Sequence, residues 1–357
     1  MPCRRSVLLA ALLAALLHHG DSLAAGVPFT KLFSLTGEYP LGASVNRTDY
    51  ESIDAAARRL YIAKMGGGQL LVFDLARNRL VAQLDGFPKI TGVLAVPEMR
   101  RIYASVPGGG VISSVFVGLG MAGLSRGHGT IAILDAQTLK EVARLPGGVF
   151  PDGIAYDSKE HRVFVSDELG AALVVIDAAT NVPNGRVATN GEVGNVRYDP
   201  VTEKIYVPVQ SNNELAVIDP AQLRVVARWK LPGCDHPHGF IIAPNAAIGF
   251  AACDGNDRLM TVDLVTGRTL RDLSVAHDPD VLAIDPKSSR LYVAAESGNL
   301  SSFDIEQADT PRALGDVYVG VGAHAVAVDP VSHQLYFALA DVNGRAVLRV
   351  LAPRTLP

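Results

Sequence analysis

The stretch YDPVTEKIYVPVQSNNELAVIDP, residues 198–220, holds a short apolar strand ending in Asp-Pro, a polar turn and a second strand opened by Tyr206. Another polar turn and a third strand ending at Asp219 complete it. IDPKSSRLYVAAESGNLSSFDIE (284–306) and YDSKEHRVFVSDELGAALVVIDA (156–178) repeat the same order. β-Branched and aromatic residues fill the runs, and Gly, Asn, Asp and Pro punctuate them, as strands and turns require. The opening aromatic recurs at Tyr61, Tyr103, Phe164, Tyr206, Phe250, Tyr292 and Tyr336, at intervals of 42, 61, 42, 44, 42 and 44 residues. The long interval reflects an insertion in the second unit, at roughly residues 107–128. No segment carries a helical period.

A period in the low forties with several strands per unit predicts an all-β fold, a seven-bladed β-propeller in which each unit is one four-stranded blade. A lone blade cannot bury both of its faces, whereas a closed ring can. The last unit, AVAVDPVSHQLYFALADVNGRAVLRVLA (325–352), supplies only three strands, and FTKLFSLTG (29–37) reads as a spare one. The N-terminal strand is expected to complete the last blade, removing the open edges of the array. Residues 25–357 then form a single domain.

The position that opens the second strand reads YIAK, YASV, FVSD, YVPV, FAAC, YVAA and YFAL, and the segments PDGIAYD (151–157) and PHGFIIA (237–243) lead into two blades. In these features the chain resembles the YVTN-type β-propeller repeat family over nearly all of residues 25–357. The resemblance implies the fold. It selects no activity, because propellers host lyases, lactonases, redox enzymes, receptors and scaffolds.

Arg4 and Arg5 precede the apolar run VLLAALLAALL, and small residues follow at Ser22, Ala24 and Ala25. This is the pattern of a signal peptide over residues 1–24, too short to span a bilayer comfortably. The expectation is an exported protein, periplasmic or secreted, with no integral membrane segment after cleavage; the general secretory and twin-arginine routes both stay open. Without the leader, 32 basic against 36 acidic residues become 30 against 35. That mild negative balance steers the protein toward neither nucleic acid nor anionic lipid.

In a propeller the innermost strand of each blade lines the central channel. Counting back from its end gives a ring at one rim: Asp49, Thr91, Asp152, Gly194, His238, Asp280 and His324. The second strand returns to the same face and brings Lys64, Ser105, Asp167, Glu168, Gln210, Asp254, Glu296 and Asp341. Imidazoles mixed with carboxylates are the ligand types of zinc, copper, manganese and iron. His238, Asp280 and His324 are therefore the candidate ligands of one divalent metal ion. Asp49, Asp152, Asp280 and His277 are candidates for binding a small polar ligand. Asp, His and Asn also favour such turns because they bond neighbouring backbone groups, so a purely structural role stands beside the binding one.

Cys3 lies in the leader, leaving Cys234 and Cys253. Two thiols in an oxidising compartment usually pair, and if 239–243 and 248–252 are adjacent strands, Cys253 returns to the level of Cys234. The alternative is a thiolate–imidazole metal site of Cys234, His236, His238 and Cys253. GGGQL (66–70) follows no strand-to-helix pattern, so no nucleotide site is expected, and no Cys-x-x-Cys-His attaches haem. The apolar, glycine-rich insertion is a candidate lid or protein-partner contact.

Two functional classes remain. One is a binding or scaffold propeller that holds a metal or small ligand at its channel mouth. The other is a metal-dependent hydrolase or lyase, lactonase-like or lyase-like, with Glu296 or Asp254 as general base. The histidines depart from the acidic and amide ligands of lactonase propellers.

Overall fold

In the computed structural model, which describes residues 28–108, 128–244 and 246–354, the repeats form seven four-stranded antiparallel sheets. The proposed leader and nearly all of the insertion at 107–128 lie outside the described residues. Blade four shows how the quoted stretch folds. Its strands are Arg197–Asp199, Lys204–Val209, Glu214–Asp219 and Arg224–Lys230, each hydrogen-bonded to the next.

The aspartates that end strands make the turns. Asp219 Oδ1 accepts the backbone N–H groups of Ala221 and Gln222 at 3.1 and 3.0 Å. Asp177 and Asp263 do the same at the equivalent turns of blades three and five. A short carboxylate bonding its own backbone two or three residues on is what makes Asp a turn residue.

The central strands read as unbroken apolar runs because each blade is covered on both faces. Tyr206, Leu215 and Val217 pack with Phe240, Ala251 and Met260 of blade five. Their alternating neighbours Ile205, Val207 and Ala216 pack with Phe164, Leu173 and Val175 of blade three. All seven aromatics of the sequence ruler are buried in this way. Each contributes about 2–3 kcal/mol of apolar burial.

Blade seven is assembled from both ends of the chain. Its order from the channel outward is Ala327–Val328, Leu335–Val342, Arg345–Pro353 and, outermost, Phe33–Ala43. The N-terminal strand therefore closes the last blade, with Phe33 opposite Pro353 and Val347 opposite Pro40. Following the innermost strand of this blade, Asp329 takes a two-pronged bond from Arg58 of blade one, at 2.7 and 2.6 Å.

Near the channel, adjacent blades touch backbone to backbone. A Cβ on Gly92 would sit 2.0 Å from the carbonyl oxygen of Asp152, and one on Gly239 would sit 2.0 Å from that of Asp280. The glycine of the Pro-His-Gly at 237–239 is thus required by the neighbouring blade. Thr91 Oγ1 and Ser105 Oγ donate to the carbonyls of Pro151 and Asp152 at 2.8 and 2.6 Å, fixing the same junction. Among the described residues no helix is long and apolar enough to cross a membrane.

Candidate metal centre at the channel mouth

The innermost strands begin at one rim, and their first residues converge there. A cavity of about 290 Å³ opens at this mouth, walled by Asp49, Thr91, Asp152, His238, Asp280 and, from the second ring, Glu168, Gln210, Asp254 and Glu296. Carboxylates outnumber cations, so the cavity is built for positive charge.

Its most ordered part involves three blades. His324 Nε2 lies 2.9 Å from the carbonyl oxygen of Thr48, a group that can only accept, so this nitrogen carries a proton. The other nitrogen, Nδ1, is thereby aimed at Asp280 Oδ2, 2.7 Å away, and at Glu296 Oε1, 3.5 Å away. One ligand atom from each of Asp280, Glu296 and His324 lies within 4.8 Å of the other two. Asp280 Oδ1, also buried, accepts no hydrogen bond among the described residues, though His238 Nε2 lies 3.4 Å from it. A backbone carbonyl that orients an imidazole, leaving the other nitrogen to face carboxylates, is the support that metal-ligating histidines require. Two carboxylates and one imidazole suit a borderline divalent ion such as zinc or manganese.

Arg47 reaches into the same spot. Its Nη2 is 2.7 Å from Glu296 Oε1, 3.4 Å from His324 Nδ1 and 3.8 Å from Asp280 Oδ2. Burial works against the Arg47 charge, but Asp49, Glu296 and Asp280 outweigh it and hold the pKa above its ordinary value. Burial likewise opposes a charged His324, yet the bond to Asp280 prevails and lifts its pKa to about 9. Burial pushes Asp280 up, but His324, His238 and Arg47 together bring it below the usual carboxylate value.

The remaining polar groups form two further networks. His238 Nδ1 meets Gln210 Oε1 at 3.1 Å, and Gln210 Nε2 donates to Glu168 Oε1 at 3.2 Å; His238 Nε2 is 3.4 Å from Asp280 Oδ1. His236 Nδ1 pairs with Asp254 Oδ1 at 2.7 Å, and its Nε2 is 3.9 Å from Glu192 Oε2. The bonds to Asp254 and Glu192 raise the His236 pKa to about 10. Burial pushes the carboxyls of Asp49 and Glu168 up to about 7 each.

Of the three expected ligands, Asp280 and His324 belong to the group that could hold a metal ion, with Glu296 as its third member, while His238 is held by Gln210 and stands beside Asp280. Glu296, expected as a base, thus sits within that group, and Asp254 is engaged by His236. Asp152 faces the cavity floor, where the Tyr50 hydroxyl donates to it at 3.3 Å. His277 must be corrected. Its side chain is 80% exposed and pairs with Asp257 at 3.1 Å, because the chain turns outward before the strand that begins at Pro279. In the second ring Lys64 donates to the Leu41 carbonyl, Asp167 binds Arg186 and Asp341 caps Gly344, so these three are structural.

Cys234 and Cys253 form a disulfide with S–S 2.04 Å and Cα–Cα 5.5 Å, which removes the thiolate–imidazole alternative. Arg47, Tyr50 and Asp278 also line the mouth, and strand counting misses them. Arg47 precedes the ring position of blade one by two residues, on a segment that the repeat does not contain; its one sequence signal is a basic residue close before Asp49.

No protein-family model matches the chain, and no curated protein matches it. Among solved structures it is similar to hydrazine synthase of Kuenenia stuttgartiensis, with a TM-score of 0.70 at 15% identity. The alignment covers 87% of this chain and 97% of that one. At that identity the likeness shows the propeller fold alone.

Proposed function

We propose that this chain is an exported propeller of the YVTN-repeat type that binds one divalent cation at its channel mouth and serves as a binding or scaffold module. The observation that carries the reading is the convergence of Asp280, Glu296 and His324 Nδ1 on one point. A cationic guanidinium already lies at that point, which supports a preference of the site for positive charge. A disulfide supports an oxidising compartment.

A second reading has one observation in its favour. Glu168 faces the same cavity with a carboxyl lifted by burial to about 7, where a proton-transfer group works best at neutral pH. A metal-assisted hydrolase or lyase would use the cation to polarise a carbonyl and Glu168 to move the proton.

The test is elemental analysis and calorimetric titration with Mn²⁺ and Zn²⁺ on the wild type, His324→Ala and Glu296→Gln. One equivalent of metal in the wild type, lost in both variants, supports the centre. Absence of binding in the wild type and in Arg47→Ala alike would overturn it. Hydrolysis of lactone or ester substrates by the loaded wild type, abolished in Glu168→Gln with metal retained, would favour the enzymatic reading.

A further inference from the structure

Tyr50 lies between two chambers of the channel. Above it is the acidic mouth; below it a second cavity of about 370 Å³ runs on between the innermost strands. The lower wall mixes polar groups with apolar ones, among them Val93, Ile154, Val281, Leu282 and Val326. Into it blade four contributes Arg197. The strand period explains why: Val196 is buried in the core between blades three and four, so its neighbours Asn195 and Arg197 turn the other way.

Arg197 is placed unlike the arginines of the chain that pair with acidic side chains. Arg47, Arg58, Arg186 and Arg228 each end on a carboxylate. Among the described residues Arg197 has no carboxylate within ion-pair distance, and its one hydrogen bond runs from Nη1 to the carbonyl of Val196, at 2.8 Å. A guanidinium carries five donors and does not give up its charge, so most of its bonding capacity is unspent. Burial lowers its pKa, with Tyr50 and Asp152 only partly opposing the shift. The acidic groups nearby do not fill the gap. Asp152 lies beyond ion-pair distance and shares the Tyr50 hydroxyl with Asn195, Glu51 accepts the Ala338 N–H and is pushed toward its neutral form by burial, and Glu98 is exposed at the outer end.

We propose that the lower chamber is a binding site for a small organic carboxylate, whose anionic end pairs with Arg197 and whose alkyl chain lies on the valine and leucine wall. Guanidinium and carboxylate match as parallel hydrogen bonds, and the chamber has the size of a small-ligand pocket and offers both an apolar wall and a polar anchor. The site is separate from the mouth centre, so the two stand or fall independently.

Butyrate and hexanoate, with sulfate as a wholly polar anion, are titrated into the full-length protein by calorimetry and thermal shift. Both carboxylates should bind the wild type, hexanoate more tightly, and sulfate weakly. Arg197→Met should bind roughly 10- to 100-fold more weakly, and Arg197→Lys should fall between. A structural role alone would predict that Arg197→Met melts lower; a cation waiting for its anion predicts that it melts higher without ligand and gains nothing from hexanoate. Circular dichroism confirms that each variant is folded. The proposal is overturned if neither carboxylate binds, if Arg197→Met binds as well as the wild type, or if sulfate equals hexanoate.

Discussion

Arg47 Nη2 and His324 Nδ1 lie 3.4 Å apart, two nitrogens meeting over the carboxylates of Glu296 and Asp280. Both carry or compete for positive charge, so a metal entering here must displace the guanidinium and take the place of the Nδ1 proton. The Arg47 side chain is 37% exposed and has room to swing outward.

The first prediction follows from that competition. Arg47→Ala should bind Mn²⁺ or Zn²⁺ at least about tenfold more tightly than the wild type, because an internal rival for the same carboxylates is gone. Calorimetric titration measures it, and unchanged or weaker binding would contradict the arrangement.

Asp280 is the counter-charge for two imidazoles, 2.7 Å from His324 and 3.4 Å from His238. Asp280→Asn leaves both without a full partner and should cost about 2–4 kcal/mol in urea unfolding. Adding His324→Gln to that variant should return part of the loss, because the stranded charge is removed. Strict additivity of the two changes would deny the coupling.

The Arg58–Asp329 pair predicts a pH dependence. Burial opposes the Asp329 charge, but Arg58 and Ser332 prevail and hold its pKa down at about 2, below the ordinary 3.8. A depressed carboxylate stabilises the fold above its unfolded pKa and loses that contribution as pH falls through the folded value. The melting temperature of the wild type should therefore exceed that of Arg58→Met at pH 5, with the gap closing between about pH 4 and 2. A gap that persists at pH 2 would show that the pair is not the source.

The disulfide joins cysteines 19 residues apart. Closing a loop of that size stabilises the folded state by about 3 kcal/mol through the unfolded chain. The urea midpoint should drop accordingly in Cys234→Ser/Cys253→Ser, and reducing agent should lower the wild type but not the variant. Equal sensitivity of the two would mean that the reagent acts elsewhere.

The fold is legible in the sequence because its repeat is carried by residues with one physical job each. Tyr206 and its counterparts fill the space between blades, and Asp219 and its counterparts close turns, so their spacing alone yields blade number and closure. The mouth is legible only as far as the repeat reaches. Asp280 and His324 occupy repeat positions, so the sequence places both at the rim; Glu296 is placed there too but not grouped with them, since side-chain direction at a strand end depends on the neighbouring blade. Arg47 belongs to no repeat position. His277 misleads because two residues decide whether a side chain faces the channel or solvent, and Asp257 draws it outward.

Blade seven places Phe33 opposite Pro353, so the outermost pairing of the ring unites residues from opposite extremes of the sequence. The chain is then effectively a circle that happens to be cut within one sheet. Synthesis from the ribosome must deliver the strand Arg345–Pro353 before Phe33–Ala43 has a partner, and closure of the ring has to wait for it. A chain cut between other blades, with the present ends joined, should form the same disc in a different order of arrival, and the seam would move while both chambers of the channel stayed where they are.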